Sequence, residues 1–115
     1  MAGILGDLNG KTAVITGGAS GIGFAMAECF GGQGMNVVIA DVEEKALNEA
    51  NDTLLAKGIE SRAMKCDVSD LGSIEALADF AYEEFGNVHI LCNNAGVVHR
   101  DRVWEASLES WEWVI

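Results

Sequence analysis

Short β-branched runs alternate along this chain with longer amphipathic stretches, and that alternation confines it to very few folds. Thr12-Ala13-Val14-Ile15-Thr16 has the composition of a strand and is stopped by Gly17-Gly18. From there apolar positions fall at Ile22, Ala25, Met26, Cys29 and Phe30, the spacing of one helix face. Gly31-Gly32 and Gly34 are expected to end that helix. Asn36-Val37-Val38-Ile39-Ala40 is nearly all apolar, as a strand buried on both sheet faces would be. Residues 43–57 read as a second helix with Leu47, Ala50 and Leu54 on one side, closed at Lys57-Gly58. A weaker strand is expected over residues 61–66. Ser69 or Asp70 then caps a third helix that reaches Phe85 and is closed by Gly86. This helix carries Ile74, Leu77, Ala78, Ala81 and Phe85 on one face. Residues 88–92 form a fourth strand. The connections are too long for hairpins, so the order predicts parallel strands, right-handed crossovers and a doubly wound sheet. The fold class expected is α/β.

At 115 residues the chain is long enough for one small domain and too short for two. Eighteen acidic residues against seven basic ones give a net charge of −11, which argues against nucleic acid as a partner. Residues 12–40 carry a single charge, Glu28, but the seven glycines among them make a lipid-facing helix unfavourable, and no membrane association is expected. The first residues lack the basic start and long apolar run of a signal peptide. Cys29, Cys66 and Cys92 are an odd, widely spaced set with no CxxC pair, which fits a reducing cytoplasm better than a disulfide framework. His89 and Cys92 supply two potential ligands, too few for a zinc site, and read as a strand residue and a buried thiol. Glu75, Asp79 and Glu83 follow helical spacing and read as a solvated face rather than a metal site.

The most informative stretch is Thr16-Gly17-Gly18-Ala19-Ser20-Gly21-Ile22-Gly23, between the first strand and the first helix. A pyrophosphate needs backbone N–H donors at close range, and a helix N-terminus offers free N–H groups with the positive end of its dipole. Glycines permit positive φ and let phosphates approach without a Cβ in the way. Ser20 can add a hydroxyl donor. The second strand ends at Asp41, 18 residues beyond Gly23, about where a dinucleotide site places its ribose reader. A carboxylate there accepts hydrogen bonds from both ribose hydroxyls and repels a 2′-phosphate. No Arg or Lys lies between Gly17 and Glu44 to offset that repulsion, so NAD is expected over NADP. A plainer role for Asp41, capping the second helix with Glu44 in capping-box spacing, stays open beside this one.

The glycine spacing is TGxxxGxG, with Gly17, Gly21 and Gly23, rather than GxGxxG. Together with Asp67-Val68 after the third strand and Asn93-Asn94-Ala95-Gly96 after the fourth, it resembles the short-chain dehydrogenase/reductase family. The resemblance spans residues 11–115. It implies a Rossmann-like sheet with strands in the order 3-2-1-4, the first half of a dinucleotide-binding fold. It also implies that Gly17, Ser20, Gly21, Ile22 and Gly23 hold the pyrophosphate while Asp41 reads the adenosine ribose. Asp67 would bond the adenine amino group and the Val68 N–H a ring nitrogen. Asn93, Ala95 and Gly96 would line the cofactor cleft and support the fourth strand. The activity implied is interconversion of a small-molecule alcohol and a ketone or aldehyde, and the assembly implied is a homo-oligomer. His89 departs from the pattern, where many relatives carry an acid.

The family's chemistry rests on a Tyr and a Lys four residues later, helped by a Ser and an Asn. The one tyrosine, Tyr82, is followed four residues on by Gly86 and lies within the third helix, so no catalytic residue is assigned. Residues 1–115 are therefore expected to be a partial dinucleotide-binding domain, cut at the start of the helix after strand four, and inactive alone. A fourth strand with an unpaired apolar edge would favour self-association. Two other readings compete with this one. A non-catalytic nucleotide-binding or partner-pairing module is one, and turnover by this chain would refute it. A methyltransferase is the other, and the TGxxxGxG spacing counts against it. Trp104, Trp111 and Trp113 read as helix-packing residues, with a substrate pocket or oligomer face as the alternative.

Overall fold

The computed structural model describes residues 8–93. Seven elements follow one another: β1 (Thr12–Thr16), α1 (Gly21–Gly32), β2 (Asn36–Asp41), α2 (Glu44–Ala56), β3 (Ser61–Lys65), α3 (Leu71–Phe85) and β4 (Ile90–Asn93). The four strands form one sheet in the order β3-β2-β1-β4, with every pair parallel. This is the doubly wound α/β arrangement that the alternation of runs predicts.

Two cores sandwich the sheet. Ala13, Ile15, Val37, Ile39, Ile90 and Cys92 point to the face covered by α1 and α2. Val14, Val38, Ala40 and Leu91 point to the face covered by α3, where Ile74, Leu77 and Ala81 meet them. Because successive strand residues alternate between faces, a strand buried on both sides must be apolar throughout. The central part of β2, from Val37 to Ala40, is at most 1% exposed.

The helices end where local chemistry requires. Asp70 caps α3, its Oδ1 accepting from the Gly72 N–H at 3.2 Å, so of the two capping candidates it is Asp70 rather than Ser69 that does so. At the other end Gly86 adopts the left-handed conformation and its N–H donates to the Tyr82 carbonyl. Leu47, Ala50 and Leu54 are the buried side of α2, as their spacing predicts. Glu75, Asp79 and Glu83 are exposed.

Two features differ from expectation. Ile22, Ala25 and Cys29 face outward, and Ile22 is 72% exposed, while Gly23 and Ala27 are the buried residues of α1. Met26 and Phe30, from the expected face, are partly buried and pack against the core, and Phe24 joins them. At the end of the helix the approach is close, since a Cβ on Gly31 would lie 2.5 Å from the Ile59 side chain. The end of α1 is as expected: the helix stops at Gly32, and Gly34 follows at φ 87° with its N–H donating to the Gly31 carbonyl. Secondly, β4 begins at Ile90 rather than at residue 88. Ahead of it the His89 Nδ1 accepts from the Thr12 N–H at 3.2 Å, while the His89 N–H donates to the Thr12 carbonyl at 2.9 Å. A side chain there takes the acceptor position that a strand carbonyl would otherwise fill.

Candidate functional site

In a parallel sheet every strand delivers its following loop to the same edge. The register brings Thr16 level with Ala40 and with Asn93, and Asp41 level with Lys65. Gly17 to Gly23, Asp41, Asp67-Val68 and Asn93 therefore converge on the carboxyl edge of the sheet. Ala95 and Gly96 lie outside the described residues, as do Trp104, Trp111 and Trp113.

The glycine-rich turn doubles back over β2. Gly17 and Gly21 have φ of 65° and 60°, a region that L side chains disfavour. Gly18 donates its N–H to the Ala40 carbonyl at 3.1 Å, and a Cβ on it would lie 2.8 Å from Ile39 Cβ. The motif treats Gly18 as a variable position, so spacing alone did not single it out. Only the closeness of the turn to β2 reveals it. Ser20 is the N-cap of α1 in an extended conformation, exposed, and makes no side-chain cap bond to its own helix. The first N–H groups of α1, on Gly21, Ile22 and Gly23, have no intrahelical acceptor by construction. This end of α1 thus offers backbone donors and a positive dipole at the sheet edge, with the exposed Ile22 at the rim.

Asp41 is half-buried and held by two backbone donors. Its Oδ2 accepts from the Ala19 N–H, within the glycine-rich turn, at 3.2 Å. Its Oδ1 accepts from the Glu43 N–H, also at 3.2 Å. The N-cap of α2 is Glu43 and has no side-chain cap bond, so the capping-box alternative for Asp41 and Glu44 is not realised. Two oxygens with one backbone bond each retain lone pairs for further donors. The register also reveals Lys65, which linear sequence places far from Asp41 and the sheet places on the neighbouring strand.

The third loop leaves β3 through Cys66, whose N–H donates to the Asp41 carbonyl at 3.0 Å. Burial pushes the Cys66 thiol up to about 11, against a smaller downward effect of its hydrogen bond with Ser73. Asp67 is exposed, and its Oδ1 accepts from both the Ser69 hydroxyl (2.6 Å) and the Ser69 N–H (2.9 Å). These bonds hold the Asp67 carboxyl below the usual carboxylate range. Val68, between two exposed residues, packs against the α3-side core. At the fourth strand the Thr16 hydroxyl donates to Asn93 Oδ1 at 3.0 Å, tying the end of β1 to the end of β4.

Tyr82 is one turn from the C-terminal end of α3, and α3 runs from the carboxyl edge back to the opposite one. It lies away from this cluster. Among the described residues the site has carboxylates, hydroxyls and backbone donors, and no group of three or more His, Cys, Asp or Glu that could hold a metal.

Comparison with known proteins agrees with this geometry. The family model for short chain dehydrogenase matches residues 11–115. An uncharacterized oxidoreductase of Thermotoga maritima is 42% identical over 108 residues, 94% of this chain and 42% of that protein. The 7alpha-hydroxysteroid dehydrogenase of Escherichia coli is 42% identical over 89 residues, 77% of this chain and 35% of that protein. The crystal structure of a short chain dehydrogenase/reductase from Burkholderia phymatum in complex with NAD is 52% identical. It superposes with a TM-score of 0.77 over 79% of this chain and 32% of that one. The chain thus spans less than half the length of the relatives it matches. With a parallel sheet in the order β3-β2-β1-β4, a glycine-rich turn bonded to the acid that ends β2, and a family match from Lys11 to Ile115, the chain belongs to the short chain dehydrogenase family.

Proposed function

We propose that the carboxyl edge of this sheet binds the adenosine and pyrophosphate portions of NAD, in an oxidoreductase that interconverts an alcohol and a carbonyl. The observation that carries this reading is the Ala19–Asp41 hydrogen bond at 3.2 Å, which fixes the glycine-rich turn and the ribose-reading carboxylate relative to each other. Backbone N–H groups of Gly17, Gly21, Ile22 and Gly23, with the Ser20 hydroxyl, would receive the pyrophosphate; the dipole of α1 favours its charge. Asp41 would accept from both ribose hydroxyls, Asp67 from the adenine amino group, and the Val68 N–H would meet a ring nitrogen. Asn93, Ala95 and Gly96 would line the cleft toward the nicotinamide. When bound, the cofactor supplies the hydride-transfer chemistry; these residues bind and orient it.

Preference for NAD over NADP follows from the same carboxylate, which would face a 2′-phosphate at close range. Lys65, level with Asp41 on the adjacent strand, works against that preference, whereas Asp41 is bonded to the glycine-rich turn itself. A small-molecule alcohol or ketone is the substrate class that this reading implies, and the family pattern suggests a homo-oligomer. Residues 1–115 form the first part of the dinucleotide-binding domain and include no catalytic residue that we assign. Free thiols at Cys29, Cys66 and Cys92 suit a cytoplasmic setting. No helix among the described residues is long and apolar enough to cross a membrane.

The test is equilibrium binding of NADH and NADPH to the full-length protein and its Asp41→Ala variant. Loss of a charged acceptor for two hydroxyls is expected to weaken NADH about 10- to 100-fold and to shift the NADH/NADPH ratio toward NADPH. An unchanged ratio would remove Asp41 from the site.

A further inference from the structure

The Asp67 carboxylate is exposed, and exposed carboxylates ordinarily sample several rotamers. Here it does not hang free: the Ser69 hydroxyl and the Ser69 N–H both donate to the same oxygen, Oδ1, at 2.6 and 2.9 Å. Two donors converging on one oxygen fix the side-chain dihedrals and leave Oδ2 as the acceptor for an incoming N–H. The hydroxyl distance falls in the short range of charge-assisted O–H···O⁻ bonds. The backbone of the loop is fixed as well, with the Asp70 N–H donating to the Asp67 carbonyl at 3.0 Å and Val68 packed into the core behind it. Ser69 is not needed to start the helix, because Asp70 caps α3.

We infer that Ser69 is a positioning residue that sets cofactor base specificity, holding Asp67 so that Oδ2 meets the exocyclic amino group of adenine. The inference rests on the reading of Asp67 as the adenine contact. A carboxylate fixed in advance loses little freedom on binding, so it discriminates more sharply between a base that donates at this position and one that accepts. A base with a carbonyl in place of the amino group would set oxygen against oxygen.

The experiment compares dissociation constants of NADH and reduced nicotinamide hypoxanthine dinucleotide, which carries that carbonyl. Four forms of the full-length protein are measured: wild type, Ser69→Ala, Ser69→Thr and Asp67→Ala. Wild type should favour the adenine cofactor about tenfold, and Asp67→Ala should lower the ratio to about twofold, the part left to the Val68 N–H, whose ring-nitrogen acceptor is protonated in hypoxanthine. Ser69→Ala should lower it to about threefold, as the backbone N–H still holds the carboxylate in part, while Ser69→Thr should retain the wild-type ratio. If Ser69→Ala keeps the full ratio while Asp67→Ala lowers it, the positioning role is overturned and the adenine contact survives. If Asp67→Ala leaves the ratio unchanged, the adenine reading and the inference fall together. Equal weakening of both cofactors in Ser69→Ala, with the ratio intact, would mark a merely structural role and also overturn the inference.

Discussion

Cys66 and Cys92 show how one side chain couples burial to pH. Both thiols are buried, on opposite faces of the sheet, and burial pushes each up to about 11. In the unfolded chain a thiol titrates near 9, so between the two values the folded protein holds protons that the unfolded chain has released. The stabilisation is therefore complete below the unfolded value and is lost as pH rises from about 9 toward 11. The denaturation midpoint of wild type should fall more steeply from about pH 8 to about pH 10.5 than that of a Cys66→Ala, Cys92→Ala double variant. Parallel pH profiles would contradict it. Residue-level legibility was uneven at the site. The place of Asp41 at the carboxyl edge, beside the glycine-rich turn, was readable because it ends a strand 18 residues after Gly23. Gly18 and Ser69 were not, since each matters through a neighbour, Ile39 in one case and Asp67 in the other, that spacing does not reveal.

At the scale of elements, strands and helices were readable wherever burial demanded one kind of residue. The central strands are apolar on both faces, and α2 and α3 carry ordinary large-residue stripes. The face of α1 was misread for a physical reason. Periodicity follows bulky apolar residues, whereas α1 fully buries its smallest ones, Gly23 and Ala27, and packs Phe24, Met26 and Phe30 only partly buried beside them. The start of β4 was misjudged because His89 uses its ring rather than a main-chain carbonyl as acceptor for Thr12. That substitution of side chain for backbone gives a clean prediction. His89→Leu leaves the Thr12 N–H without its acceptor and should cost about 1–3 kcal/mol in chemical denaturation. His89 is at the amino edge of the sheet, opposite the proposed cofactor site, so NADH affinity should stay within about twofold of wild type. A large loss of affinity with no loss of stability would show that the two edges are coupled.

Over the whole molecule, parallel topology turns four separated sequence signals into one edge. Thr16 donates to Asn93, Ala19 to Asp41 and Cys66 to the Asp41 carbonyl, so hydrogen bonds tie the carboxyl end of β1 to that of β4, the turn after β1 to the end of β2, and the residue after β3 to the end of β2. If this linked edge is an NAD site, a crystal structure of the full-length protein grown with NAD should show the adenosine ribose hydroxyls within hydrogen-bond distance of Asp41, the pyrophosphate over the N-terminus of α1 and the adenine amino group against Asp67. A dinucleotide bound elsewhere, or one at this edge with its ribose turned away from Asp41, would contradict it.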